Sequence, residues 1–173
     1  MIRIGGALDK KNLSGKDMLK AFSKQTLGRL CIYRLTEKPI FIFANRRGGS
    51  TLVMEMIYSQ PGVDYIAQPL DLWQLHPHFN RLPHPLRSKF IALKEEEEER
   101  LAKYFTDLLA GRIRLRNQWR IFDRNFSFLV NRLVVKVCNA HALIDWFNEH
   151  FDIHCLYLIR HPIATALSII NRG

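Results

Sequence analysis

The chain has 173 residues, with 26 Lys or Arg against 16 Asp or Glu and a formal charge of +10. With 47% hydrophobic and 24% charged residues, the composition predicts a globular protein with one core of ordinary size. It excludes an intrinsically disordered chain and a pair of full domains, and apolar runs such as Pro39–Ala44 and Leu143–Phe147 fall far short of the ~20 residues that cross a bilayer. Cys31, Cys138 and Cys155 are odd in number and unrelated in spacing, which points to buried thiols in a reducing compartment and a cytoplasmic location. The positive balance calls for an anionic partner; nucleotide, nucleic acid, sulfated sugar and acidic lipid meet that requirement equally.

Residues 1–12 hold Gly5, Gly6 and mixed charges without an apolar stretch of signal-peptide length, so neither secretion nor a membrane anchor is expected. From Lys16 to Tyr33 the apolar residues Met18, Leu19, Phe22, Leu27, Leu30 and Tyr33 fall near helical spacing between lysines and an arginine. This predicts an amphipathic helix docked on its own domain, with a membrane-surface helix as the alternative. Residues 1–36 are therefore an N-terminal arm and 37–173 the main domain. Ile40–Ala44, a run of β-branched and aromatic residues, predicts a strand buried on both faces. Asn45–Ser50 is a polar, glycine-rich turn, and Thr51–Ser59 predicts a helix that ends before Pro61-Gly62.

Val63–Ala67 reads as a second strand, followed by a long loop through Lys89 rich in Pro, His and Arg. Glu95 to Arg132 reads as helical and highly charged, from the Glu95–Glu99 run to Arg112, Arg114, Arg116, Arg120 and Arg124. Leu133–Val137 predicts a strand, Ala142–Glu149 a short helix, and His154–Ile159 a strand ending at Arg160. Pro162 suits the first turn of a helix that continues from Ala164 to Asn171. Strands alternating with helices predict an α/β fold with a mainly parallel sheet in a three-layer α/β/α arrangement.

Ligands of open parallel sheets bind at the carboxyl ends of the strands, where loops entering helices present free N–H groups. Arg47-Gly48-Gly49-Ser50-Thr51 lies at such a place. The glycines admit close approach to an anion, the hydroxyls of Ser50 and Thr51 donate, and Arg47 adds a fixed charge. It is not a Walker A loop, because Gly49 rather than a lysine precedes Ser50. A second segment, Tyr157 to Ile170, sets Arg160 at a strand end and Ser168 two helical turns onward, able to direct a guanidinium and a hydroxyl at one phosphate. Either segment alone has a structural explanation: a tight Gly-Gly turn, or an arginine and a serine bonded to nearby carbonyls.

As a pair, FIFANRRGGSTL and YLIRHPIATALS resemble the two nucleotide-binding signatures of sulfotransferases that use 3′-phosphoadenosine 5′-phosphosulfate (PAPS). The resemblance spans Pro39 to Asn171 and is specific in those two segments, where it is closer to the carbohydrate and bacterial branch. It implies a P-loop-like fold lacking the usual C-terminal part, PAPS as co-substrate, no metal, and transfer of a sulfuryl group to a hydroxyl of a sugar or small metabolite. It further implies Arg47 at the bridging oxygen, Gly48, Gly49, Ser50 and Thr51 around the 5′ end, and Arg160 with Ser168 on the 3′-phosphate.

Lys136, inside a mostly apolar strand, is either a second cation at the sulfonate or a lysine snorkelling to solvent. The acceptor's proton needs a base. Where many carbohydrate members carry a glutamate before Pro-Leu, this chain has Gln68, and where cytosolic members have Lys-Thr-His, Lys136 is followed by Val137 and Cys138. The remaining candidates are Asp71 and His141, then His76 and His78; a turn cap, a satisfied histidine and solvated loop positions are their structural readings. The competing functions are a nucleotide or small-molecule kinase and a non-catalytic basic module using Lys16 to Arg34 and Arg112 to Arg132.

Overall fold

The computed structural model describes residues 31–45, 47–70, 81–83, 92–113, 115, 123–138 and 140–171. In chain order the strands are β1 (Ile32–Tyr33), β2 (Ile40–Ala44), β3 (Val63–Ala67), β4 (Leu129–Val130), β5 (Arg132–Val137) and β6 (His154–Leu158). The helices are α1 (Ser50–Tyr58), α2 (Glu95–Leu109), α3 (Ile144–His150), preceded by a 3-10 turn at His141–Leu143, and α4 (Pro162–Ile170). Strands β2, β3, β5 and β6 form one parallel sheet in the order β3-β5-β2-β6, and β1 pairs in parallel with β4.

Strand alternation sorts β2 between two cores. Phe41 and Phe43 face a cluster with Leu133, Val135 and Val137 of β5, Leu101, Phe105 and Leu108 of α2, and Phe147 of α3. Ile42 faces the opposite side with Val134, Val63 and Met54 of α1. Helices thus cover both faces, with α1 on one and α2 and α3 on the other, as right-handed crossovers running in opposite directions along the sheet require. Helix α1 buries Ser50, Met54 and Tyr58 at four-residue spacing. Among the described residues β6 is an edge strand of this sheet, α4 buries none of its residues, and Ile159, Ile163, Leu167 and Ile170 are exposed.

Two expectations are corrected. The helix read from Lys16 to Tyr33 fails at its far end, where Ile32 and Tyr33 are extended: Ile32 N–H donates to Phe128 O at 2.7 Å and Arg34 N–H to Val130 O at 2.9 Å. Residues 1–30 lie outside the described residues. The Tyr33 hydroxyl donates to the fully buried Asp64 of β3 at 2.7 Å. Among the described residues the helical reading of Glu95 to Arg132 holds from Glu95 to Leu109, and Arg114, Arg116 and Arg120 lie outside them. After Leu109, Gly111 takes φ 70°, and the N–H groups of Gly111 and Arg112 close on the carbonyls of Leu108 (3.0 Å) and Asp107 (2.8 Å), a left-handed stop. The glutamate run is the solvated N-terminal turn of α2, where acidic residues oppose the positive helix end and Glu97 accepts from Lys94 N–H at 2.9 Å.

Two measurements check this packing. Phe147 contacts the rings of Phe41, Phe43 and Phe105 and is fully buried, so Phe147→Ala lowers the urea unfolding free energy by about 3–5 kcal/mol. Burial raises the Tyr104 phenol well above its ordinary value, against a smaller opposing pull from Arg81, and its hydroxyl donates to Pro69 O at 2.9 Å. The folded protein therefore keeps a proton that the unfolded chain loses above about pH 10, so stability falls as pH rises beyond that point. Tyr104→Phe costs about 1 kcal/mol near neutrality and flattens that alkaline decline in urea titrations.

Candidate anion-binding site

The parallel sheet brings all its carboxyl ends to one edge. From β2 the chain leaves toward β3, and from β5 it crosses β2 to reach β6, so the direction of winding reverses beside β2. That reversal opens a crevice. A cleft of about 620 Å³ lies there, and all four strands lead into residues that line it.

After β2 the backbone turns sharply, with Gly48 N–H donating to Asn45 O at 3.0 Å. A Cβ on Gly48 would stand 2.9 Å from that same carbonyl oxygen, so the turn has no room for a side chain. Gly49 takes φ 89° and Arg47 φ 66°, both left-handed; glycine meets the first without strain, whereas arginine does not. Helix α1 then begins at Ser50 with no side-chain cap and no acidic residue in its first turn. Its first N–H groups lack helical acceptors and give the cleft the positive end of a helix. Ser50 is buried with its hydroxyl 3.9 Å from the Cys138 sulfur, and Thr51 faces the cleft.

Lys136 sits near the end of β5 on the α1 side, two residues beyond the buried Val134. It is 7% exposed, and its Nζ donates to Thr51 Oγ1 at 3.0 Å. Among the described residues no carboxylate pairs with it. An ammonium withdrawn from water with one hydroxyl partner is short of negative charge, and the cleft is where an anion can supply it.

From β6 comes Arg160, whose Nη1 donates to Arg47 O at 3.1 Å. The guanidinium ties the β6 tip to the glycine turn and keeps its other N–H groups for a ligand. Pro162 opens α4 within its first turn, and Ser168 lines the same cleft further along that helix.

Of the residues singled out from the sequence, Arg47, Gly49, Ser50, Thr51, Lys136, Arg160 and Ser168 line one cleft, and Gly48 forms the turn beneath them. His141 does not line it. After Cys138 the chain is drawn to the other face of the sheet by Ala140 and Leu143, both buried in the large cluster, and His141 Nδ1 is enclosed there without a partner. Asp71, His76 and His78 lie outside the described residues. Three lining residues had not been given a role: Leu52 in the first turn of α1, Cys138, two residues beyond Lys136, and Gln68, discounted because it cannot act as a base. Comparison with known proteins finds no matching family model, no matching curated protein and no matching solved structure.

A lysine held for a ligand rather than for the fold has a distinct signature. Lys136→Met keeps the length of the side chain and removes the buried charge, so it does not lower stability when no anion is bound. Thermal melts in sulfate against chloride at equal ionic strength should show a sulfate-dependent rise for the native protein and none for Lys136→Met, whose midpoint in chloride is equal or higher.

Proposed function

We propose that this protein is a PAPS-dependent sulfotransferase that transfers a sulfuryl group to a hydroxyl of a sugar or small metabolite, on a P-loop-like phosphate-binding fold. The observation that carries this reading is the adjacency of the two signature segments. Strands β2 and β6 are neighbours in register, Ala44 beside Leu158, and Arg160 reaches the carbonyl of Arg47. Two anion-binding segments on adjoining strand tips suit the two phosphorylated ends of one adenosine.

In this reading Arg160 and Ser168 bind the 3′-phosphate, and Gly49, Ser50, Thr51 and the α1 N-terminus bind the 5′-phosphate. The acceptor oxygen bonds to sulfur as the bond from sulfur to the bridging oxygen breaks, its electron pair leaving with 3′-phosphoadenosine 5′-phosphate. Arg47 and Lys136 stabilise the charge that grows on that oxygen and on the sulfonate. The acceptor proton passes to a base; the sequence candidates are Asp71, His76 and His78, which lie outside the described residues, and His141, which does not line the cleft. A kinase reading gains no support from the loop, where Gly49 stands in the place of the Walker lysine.

Differential scanning fluorimetry tests the proposal. At about a hundredfold excess over its dissociation constant, 3′-phosphoadenosine 5′-phosphate stabilises the protein by about 2.7 kcal/mol, whereas ATP with magnesium has little effect. Arg160→Ala weakens that binding by about tenfold to a hundredfold, the loss expected for a charged hydrogen bond to phosphate. The reverse nucleotide preference identifies a kinase, and salt-sensitive nucleic-acid binding unchanged by Arg47→Ala or Arg160→Ala identifies a basic binding module.

A further inference from the structure

Among the described residues, two that are not glycine hold a positive φ, Arg47 at 66° and Gln68 at 55°. They come from different loops, after β2 and β3, and both line the same cleft. Backbone strain of this kind persists only where the surroundings over-determine it, and it gathers at ligand sites. At Gln68 the conformation is doubly unfavourable, since a residue before proline favours extended backbone.

Its anchors are visible. Gln68 N–H donates to Lys136 O at 2.9 Å, Pro69 O accepts from Tyr104 at 2.9 Å, and Leu70 is 1% exposed. These contacts hold the main chain on either side while the Gln68 side chain, half-exposed, faces the cleft and bonds to nothing among the described residues.

The order of the strand tips gives this side chain a place along a ligand. Across the cleft the tips run β6, β2, β5, β3, at about 4.8 Å per step. They carry Arg160, then the glycine turn, then Lys136, then Gln68. A donor with its 3′-phosphate at β6 and its 5′-phosphate at β2 extends its terminal sulfonate over β5, toward β3. Gln68 is neutral, so it leaves the Lys136 ammonium uncompensated and can donate N–H to a sulfonate oxygen without repelling it.

We propose that Gln68 contacts the transferred sulfonate, its side-chain amide donating to a sulfonate oxygen and marking the end of the cleft from which the acceptor approaches. This rests on the sulfotransferase reading and adds a residue that discriminates the loaded donor from the spent nucleotide.

Titration calorimetry on the full chain with PAPS and with 3′-phosphoadenosine 5′-phosphate separates the two ideas. In Gln68→Gly, which removes both the amide and the strain, the unliganded protein melts at a higher temperature. Its affinity for 3′-phosphoadenosine 5′-phosphate stays within about twofold, and its affinity for PAPS falls by about fivefold or more, as for one lost hydrogen bond. Gln68→Glu faces the sulfonate with a carboxylate, and PAPS binding falls by a further factor of about ten relative to the spent nucleotide. Equal losses for the two nucleotides, or no loss for either, overturn the role of Gln68 and leave the sulfotransferase reading standing. Failure of the native chain to bind 3′-phosphoadenosine 5′-phosphate overturns both.

Discussion

An ammonium group withdrawn from water is the constraint around which this site is arranged. Lys136 belongs to a strand whose other described residues from Leu133 to Val137 are buried valines and a leucine, and it reaches one hydroxyl, that of Thr51. The need for negative charge at that point gives the neighbouring features a common purpose. The uncapped start of α1, the side-chain-free turn at Gly48 and the guanidinium of Arg160 all direct positive potential into the same crevice. Each has a purely structural reading alone; together they converge on a buried cation.

The opposite face of the sheet supplies the stability that such an arrangement consumes. Phe147 packs against the rings of Phe41, Phe43 and Phe105, and Phe105 against Phe41, with centroids 4.8 to 5.6 Å apart, and all four are fully buried. Aromatic burial of this extent outweighs the left-handed backbone at Arg47 and Gln68 and the desolvation of Lys136. The division is physical: α2 and α3 cover a dry, close-packed face, while the α1 side ends in polar groups at the strand tips.

Much of this was legible in the residues because the signals were local. Ile40–Ala44 is an unbroken apolar run and Val63–Ala67 is apolar apart from Asp64, each between turn residues, and both strands match their predicted bounds. The tight turn from Arg47 to Thr51 was legible because two glycines followed by hydroxyl residues stand between a strand and a helix. Where partners are distant, the reading failed. Ile32 and Tyr33 are extended because Leu129 and Val130 pair with them, and nothing within the helical-looking run announces that pairing. Gly111 ends α2, yet the arginines beyond it maintain a charged pattern that hides the stop. In the site, periodicity placed Lys136 and Arg160 at strand ends, but the left-handed turn of Gln68 depends on the buried Tyr104 hydroxyl and could not be read from Gln-Pro-Leu.

The position of β2 in the sheet also bears on how the chain reaches this state. The first strand of the large sheet is an inner one, so Ile40 must wait for Val134 on one side and for His154 on the other. Neither local helix formation nor a hairpin can cover its edges early. Closing such distant parallel pairs is entropically slow, and the crevice at the strand tips cannot form before β5 and β6 have joined β2. A nascent or partly refolded chain therefore holds its glycine loop before it holds a competent site.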